Sequence, residues 1–364
     1  MPHRESLKDH SPDRLRELFR ARGWPAYRAD QVCEWLYVRG EEDPARWTNL
    51  PRDLREVLAR EWEVRTLECV DTQRSVDGTR KSVLATRDGR RIESVLIPEE
   101  DRQTLCVSTQ VGCPLACSFC ATGAMGFTRN LSAAEIVDQL VRMNEQLDPG
   151  ERISNVVFMG MGEPLLNTTA LLEAIRILIH PKAFAMAPRR ITVSTAGVVP
   201  QIGRLLDVAP VNLAVSLHAT TDPVRDDIVP LNRKFPLDML LGALRSDPRL
   251  GRRRPVFFEY ILIDGVNDDP EDARRLARLL RGIPSKVNVI PMNPHADSPY
   301  RPPPDEVVDR FTAILHAANL RVTLRRHRGR DIDAACGQLA LREEGSVRPG
   351  AADPAPPAAA LVDR

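Results

Sequence analysis

Residues 104–123, TLCVSTQVGCPLACSFCATG, run from an apolar segment into a loop with three cysteines. The apolar part, TLCVST, is the first of six apolar runs, and segments with helical spacing of their apolar residues separate each run from the next. The other five are NVVFMG (155–160), ITVST (191–195), VNLAVSL (211–217), VFFEYIL (256–262) and KVNVIP (286–291). Alternating strands and helices indicate a parallel sheet. The pattern therefore predicts an α/β fold, with six units forming an open or partial barrel.

Two shorter regions precede this core, which we place at residues 99–340. Residues 1–63 have apolar residues at helical spacing between prolines and predict a small helical domain. Residues 64–98 contain Asp77-Gly78 and Asp88-Gly89, dipeptides that favour tight hairpin turns, and predict a short antiparallel β extension. Residues 341–364 are rich in proline and alanine and predict a disordered tail.

The composition favours a globular intracellular protein. The chain has 43% hydrophobic and 28% charged residues, and its net charge is only +1. It begins without an apolar leader, and no stretch approaches the roughly 18 apolar residues that span a bilayer. We therefore expect a cytoplasmic location and no membrane partner. The seven cysteines are unevenly spaced, which favours a ligand or catalytic cluster over a disulfide framework.

Arginines form three local runs despite the low net charge. Residues 252–254 and 189–190 form the first two runs, for which a solvated face is as plausible as phosphate binding. The third run precedes Cys336, a candidate reactive thiol, which favours phosphate binding there. It comprises Arg321, Arg325, Arg326, Arg328 and Arg330.

The cysteine loop places Cys113, Cys117 and Cys120 in a C-x3-C-x2-C pattern. A closed structural zinc site needs four ligands, as do the common four-cysteine iron–sulfur sites. Three thiolates on a 4Fe-4S cluster leave one iron open to another ligand. On spacing alone, a zinc site remains an alternative. The cysteines outside every motif, Cys33 and Cys69, are expected in the core.

The three-cysteine pattern, with Phe119 before the last cysteine, resembles the signature of radical S-adenosylmethionine (SAM) enzymes. The later segment GMGEPLLN resembles the part of those enzymes that binds the SAM amino group. There, Gly162 would allow close backbone approach and the Glu163 carboxylate would pair with the ammonium. The resemblance also places a set of residues near strand ends around SAM, namely Ser194, Ser216, Leu217, His218 and Asn293.

A narrower resemblance covers nearly the whole chain. The strings TLCVSTQVGC, GFTRNL, GMGEPLLN, SLHA, IVPLNRKFPL, DGVND and DIDAACGQL together resemble the bacterial adenine-C2 RNA methyltransferases. This family implies methylation of 23S rRNA near the peptidyl-transferase centre and of the tRNA adenosine beside the anticodon. It further implies one 4Fe-4S cluster, two SAM molecules per turnover and an external electron donor such as flavodoxin. We expect a monomer.

The resemblance implies roles for three further residues. Cys336 would accept a methyl group from one SAM, and a radical generated from a second SAM would activate that methyl for addition to C2. Cys106 would then resolve the RNA–protein adduct through a transient disulfide with Cys336. Glu93 would accept the C2 proton, although Cys106 is an alternative. From its alternation with Val95 alone, Glu93 is better explained by an exposed edge strand than by a raised pKa.

Three other functions remain possible at this point. Methylation at adenine C8 shares the same motifs. A radical SAM enzyme acting on protein or small molecules would not need Cys336 together with Cys106. A cluster- or zinc-bearing RNA-binding module would not catalyse a reaction. Aromatic residues make up 5% of the chain, which favours recognition of RNA backbone and shape over base stacking, with the N-terminal helices as a second contact.

Overall fold

The computed structural model describes residues 4–295, 298–325 and 328–339. Its strands are β1 Leu67–Arg74, β2 Arg80–Thr86, β3 Arg91–Glu99, β4 Arg102–Cys106, β5 Gln110–Gly112, β6 Phe127–Asn130, β7 Asn155–Phe158, β8 Ile191–Thr195, β9 Asn212–Ser216, β10 Val256–Leu262, β11 Ser285–Pro291 and β12 Arg321–Leu324. Its helices are α1 Pro12–Ala21, α2 Tyr27–Cys33, α3 Arg52–Glu61, α4 Ala121–Ala124, α5 Ala133–Asn144, α6 Thr168–Ile179, α7 Val199–Val208, α8 Asp222–Ile228, α9 Leu237–Ser246, α10 Pro270–Leu279 and α11 Asp305–Ala317.

One ten-stranded sheet organises the chain, in the order β1-β2-β3-β4-β7-β8-β9-β10-β11-β12. Strands β1 to β4 pair antiparallel, and β4 to β12 pair in parallel along the rest of the sheet. The α/β class and all six predicted parallel runs are confirmed. A seventh parallel strand, β12, was not predicted, and it extends the sheet beyond β11.

The predicted hairpin turns are also confirmed. Gly78 and Gly89 both have positive φ, 85° and 77°, in the two turns that join β1 to β2 and β2 to β3. Because β1 lies at the edge of the sheet, most of its residues are exposed. Cys69 is one of them, so its expected core position is wrong, whereas Cys33 is buried as expected.

The N-terminal region is helical, as predicted, with a π-helical turn at Glu34–Val38 continuing α2. A buried group of charges joins it to the core. The Lys8 ammonium pairs with the carboxylates of Glu42 and Asp138, and Arg142 contacts the same two carboxylates. Asp138 lies on α5 and also accepts hydrogen bonds from the backbone amides of residues 66 and 67. Its carboxylate therefore holds both the N-terminal region and the start of β1 against α5.

Local signals position the elements around the cysteine loop. Strands β5 and β6 pair antiparallel on either side of it. Helix α5 begins at a capping box in which the Ser132 hydroxyl and the Glu135 carboxylate each accept from the other's backbone amide, as predicted. In the part of the chain that the structure describes, no helix is long and apolar enough to cross a membrane. The tail expected at 341–364 lies outside the described residues.

Candidate active site

A cleft opens where the parallel strands end, and it collects most of the residues that the sequence singled out. It is lined by Cys113, Cys117, Phe119, Cys120, Gly162, Glu163, Ser194, Ser216, His218, Glu259, Arg325 and Cys336, among others. Carboxyl ends of parallel strands meet at one edge of a sheet, which is why residues far apart in sequence converge here.

The cysteine loop is held by backbone contacts. The Cys113 amide donates to the Gly126 carbonyl at 2.8 Å, and the Cys120 amide donates to the Cys117 carbonyl at 3.1 Å. Gly112 is required at the start of the loop, because its φ is 76° and a Cβ there would lie 1.9 Å from the Gly126 carbonyl oxygen. Burial raises the pKa of all three thiols in the metal-free protein, so ligation requires loss of their protons.

Glu163 is buried, and backbone amides orient its carboxylate. Ala196 N–H donates to one carboxylate oxygen at 2.8 Å, and Leu165 N–H donates to the other at 3.0 Å. The Gln110 side chain accepts from the amide of Glu163 itself at 2.8 Å. Burial raises the pKa of Glu163 to about 7, against the opposing effect of these hydrogen bonds.

Ser194 and Ser216 face one another on β8 and β9, with their hydroxyl oxygens 3.5 Å apart. His218 follows β9 with a φ of 59°, and its ring packs edge-on against Phe119 at 4.9 Å. The Ile261 amide donates to its Nδ1 at 3.1 Å, and burial lowers the pKa of His218 to about 3. Leu217 is fully buried and is not among the residues that line the cleft.

The loop bearing Cys336 returns to the cysteine loop. The Ala121 amide donates to the Gly337 carbonyl at 2.8 Å, and the Thr122 hydroxyl donates to the Leu339 carbonyl at 2.6 Å. Asn293 lies beside it, with Nδ2 3.5 Å from the Cys336 carbonyl oxygen. Cys336 thus lies in the same cleft as the three clustered cysteines.

Cys106 and Glu93 are not among the residues that line the cleft. Cys106 ends β4 and is buried. Burial, together with the nearby Cys336, raises its pKa to about 12. Glu93 lies on β3, an internal strand, with 2% of its surface exposed, and its carboxylate is 3.3 Å from the Lys81 ammonium. The exposed-edge explanation of Glu93 is therefore wrong, because β2 and β4 cover the strand on both sides.

Two residues of the site, Arg225 and Glu259, were missed from sequence. Arg225 is fully buried and donates to the carbonyls of residues 196, 216 and 217 at 2.6, 3.1 and 2.9 Å, which ties the ends of β8 and β9 together. Glu259 faces the cleft from β10, and its only signal was a carboxylate within an apolar run. Arg325, one of the arginines predicted to contact RNA, lines the cleft with its guanidinium 3.8 Å from Glu259.

These groups fit a 4Fe-4S cluster with SAM. Three thiols face one cleft and leave room for a fourth, non-protein ligand. The buried Oδ1 of Asn293 and Oε2 of Glu259 have no hydrogen-bond partner among the described residues. A polar ligand bound in the cleft can therefore donate hydrogen bonds to them. Within residues 4–295, 298–325 and 328–339, no three histidine, cysteine or carboxylate groups are grouped as for a single metal ion.

A parallel partial barrel with this three-thiol loop defines a radical SAM protein, and comparison with known proteins agrees. The radical SAM superfamily profile matches residues 107–277, and the profile of the ribosomal RNA large subunit methyltransferase N-terminal domain matches residues 6–64. Radical SAM methyltransferases use a 4Fe-4S cluster and SAM.

Relatives that match over most of their length narrow the class from radical SAM proteins in general to RNA methyltransferases. The dual-specificity RNA methyltransferase RlmN of Syntrophobacter fumaroxidans is 47% identical over 92% of this chain and 97% of its own length. That of Anaeromyxobacter dehalogenans is 48% identical over 98% and 97%. A radical SAM methyltransferase structure from Sphaerobacter thermophilus has a TM-score of 0.87, with 46% identity over 92% of this chain and 99% of its own. The chain belongs to the RlmN family of dual-specificity RNA methyltransferases.

Proposed function

We propose that this protein methylates C2 of an adenine in 23S rRNA, in the peptidyl-transferase region, and of the adenosine beside the anticodon in certain tRNAs. Family membership supports RNA as the substrate. The observation that carries the proposal is the position of Cys336 in the same cleft as Cys113, Cys117 and Cys120. A methyl carrier there can face both the cofactors and a base that enters from outside.

The residues of the cleft have separate roles in the proposed reaction. Cys113, Cys117 and Cys120 would hold the cluster, and Glu163 would pair with the SAM ammonium. Ser194, Ser216, His218 and Asn293 would contact the rest of SAM. When bound, the cluster and SAM supply a methyl group and the radical chemistry that an electron-poor carbon such as adenine C2 requires. Cys336 accepts the methyl on its sulfur and carries it to the base.

Release of the product needs a second thiol. Cys106 attacks the sulfur of Cys336, the bond from that sulfur to the transferred carbon breaks, and the carbon takes up a proton to become the new methyl group. A Cys106–Cys336 disulfide remains, and an external thiol reduces it. Since burial holds the pKa of Cys106 near 12, this thiol must lose its proton to a base before it attacks. Glu93 and Cys106 are the two candidate acceptors of the C2 proton.

The first experiment is nucleoside mass spectrometry of protein-free ribosomal and transfer RNA after anaerobic incubation with reconstituted enzyme, SAM and reductant. We expect 2-methyladenosine from wild type. Cys336→Ala should retain its iron and bind SAM but form no methylated adenosine. Cys33→Ala, at a buried cysteine remote from the cleft, serves as the control and should remain active. 8-Methyladenosine would replace the C2 assignment by C8, and methylation by Cys336→Ala would contradict the role of this thiol.

Cys106→Ala separates formation of the RNA–protein adduct from release of the methylated RNA. We expect it to join RNA to the protein and to accumulate the adduct, which a denaturing gel resolves. Normal turnover without an adduct would show that Cys106 is not the resolving thiol. An external one-electron donor of the flavodoxin type and a monomeric state complete the proposal, and sedimentation of the reconstituted enzyme tests the latter.

A further inference from the structure

The turn between β1 and β2 is hydrogen-bonded to the loop that carries Cys336. The Asp331 carboxylate, on the loop, accepts from the Ser75 hydroxyl at 2.5 Å and from the Val76 amide at 3.2 Å. In the reverse direction, the Asp77 carboxylate, on the turn, accepts from the Gly329 amide at 3.0 Å. The turn and the loop therefore each contribute one carboxylate, which accepts hydrogen bonds from the other segment. We call these contacts the clip.

Close packing reinforces the clip. Gly329 has a φ of 61°, and a Cβ at this position would lie 2.7 Å from the Ala334 side chain and 2.9 Å from that of Thr79. A larger residue would thus push the loop away from the turn. Lys81 adds a third link, since its ammonium lies 3.5 Å from the Asp333 carbonyl while it pairs with Glu93.

The loop transmits this anchorage toward Cys336. The Gly329 carbonyl accepts from the amides of Ile332 and Ala334 at 3.2 and 2.9 Å, so the clipped residue is bonded to the segment just before the cysteine. On the other side of Cys336, the Gln338 side chain donates to the Pro294 carbonyl at 2.9 Å. Cys336 therefore lies between two anchored points, one on the antiparallel extension and one on the barrel.

We propose that Asp331 and Asp77 are positioning residues that hold the Cys336 sulfur at its working place in the cleft. The proposal rests on the role of Cys336 as methyl carrier. Sulfur displacement at a methyl group requires close alignment, and a misplacement of about 1 Å can cost about a hundredfold in rate. The clip is far from the cluster ligands in the chain and contacts neither the cleft nor any residue assigned to SAM. It can be removed without removing a group that reacts.

Both carboxylates are ionised at neutral pH. Burial raises the pKa of Asp77, but hydrogen bonds involving Thr79, Gly329 and Ser75 outweigh it and hold the value at about 2. The hydrogen bond from Ser75 lowers the pKa of Asp331. Groups with depressed acid pKa values lose their contribution only as the pH falls through those values. The clip therefore persists across the range in which the enzyme is assayed.

The test measures SAM-dependent methylation of Cys336 without RNA, by peptide mass spectrometry of reconstituted holoenzyme. The variants are Asp331→Ala, Asp77→Ala and Ser75→Ala. Asp71→Ala is the matched control, because Asp71 is an exposed carboxylate on the same hairpin. We expect rates about 10- to 100-fold below the control for the two aspartate variants. Ser75→Ala should lose rate in the same direction, because it removes the hydroxyl that donates to Asp331, whereas Ser75→Thr keeps a hydroxyl and should retain the rate of the control.

A second readout separates positioning from folding and from the methyl-carrier role. Hydrogen exchange of the Gly329 amide should accelerate about tenfold in Asp77→Ala, with iron content and SAM affinity equal to those of the control. Faster exchange with an unchanged Cys336 methylation rate would overturn the proposal, as would unchanged exchange. If Cys336→Ala still methylates RNA, the methyl-carrier role fails instead, while the exchange of Gly329 still reports on the clip.

Discussion

The Lys81 ammonium lies 3.3 Å from the Glu93 carboxylate, and both side chains are buried between neighbouring strands of the sheet. Removal of one partner from such a pair leaves a charge in a medium that solvates it poorly. We expect Lys81→Met to lower the free energy of unfolding by about 3 kcal/mol, measured by urea denaturation. Lys81→Met/Glu93→Gln should recover much of this loss, because neither charge remains. Equal losses in the single and double variants would contradict the pairing.

The lowered pKa of His218 predicts that the folded protein becomes less stable as the pH falls. Burial lowers its pKa from 6.5 to about 3, so the folded state disfavours the proton that the unfolded state accepts. Its contribution is complete above pH 6.5 and is lost progressively as the pH falls toward 3, by about 4 kcal/mol in all. Denaturation between pH 7 and pH 4 should show a shallower decline for His218→Gln than for wild type. His316→Gln, at an exposed position, is the control and should follow wild type.

Gly162 cannot carry a side chain without moving the Glu163 segment. Its φ is 99°, and a Cβ would lie 2.6 Å from the Cβ of Gln110, whose side chain holds the Glu163 amide. We expect Gly162→Ala to cost about 2 kcal/mol of stability and to weaken SAM binding, as measured by calorimetry. The control is Gly242→Ala in α9, where no atom outside its chain neighbours and the backbone of its own helix turn lies within 4 Å of the added methyl. That change should be neutral or slightly stabilising.

Arg225 should contribute both to the stability of the fold and to the affinity for SAM. Its guanidinium donates to the Ala196, Ser216 and Leu217 carbonyls and to the Asn232 side chain. Arg225→Met removes all of these donors from buried acceptors, and we expect a loss of at least about 3 kcal/mol together with weaker SAM binding. Arg245→Met provides the comparison, because Arg245 also donates to backbone carbonyls but in an exposed setting. A similar loss in both variants would contradict a special role for Arg225.

Local chemistry explains why much of the architecture was predictable. Asp-Gly turns, the Ser132–Glu135 box and the apolar runs act over a few residues, so the sequence displays them directly. Strand β12 was missed because its four residues, RVTL, lie at the sheet edge with little burial to impose an apolar pattern. Arginines lie within and directly after this strand, so charge and not apolar periodicity dominates the local pattern.

The errors within the site come from contacts across the sheet. Alternation along one strand cannot reveal that Lys81, on β2, faces Glu93, on β3, so a buried carboxylate was mistaken for an exposed one. The ion pair of Arg325 with Glu259 could likewise not be found in the arginine run, because Glu259 comes from β10. In both cases the missing information was the identity of an opposite charge that is distant in sequence.

The contact between Ser75 and Asp331 joins residues that are 256 positions apart. During synthesis, the cysteine loop and the hairpin leave the ribosome long before the segment that completes their site. Closing so large a loop is entropically costly, and it becomes favourable only when the intervening sheet has already brought its ends together. We therefore expect Cys336 to join Cys106 late in folding, after the intervening sheet has formed.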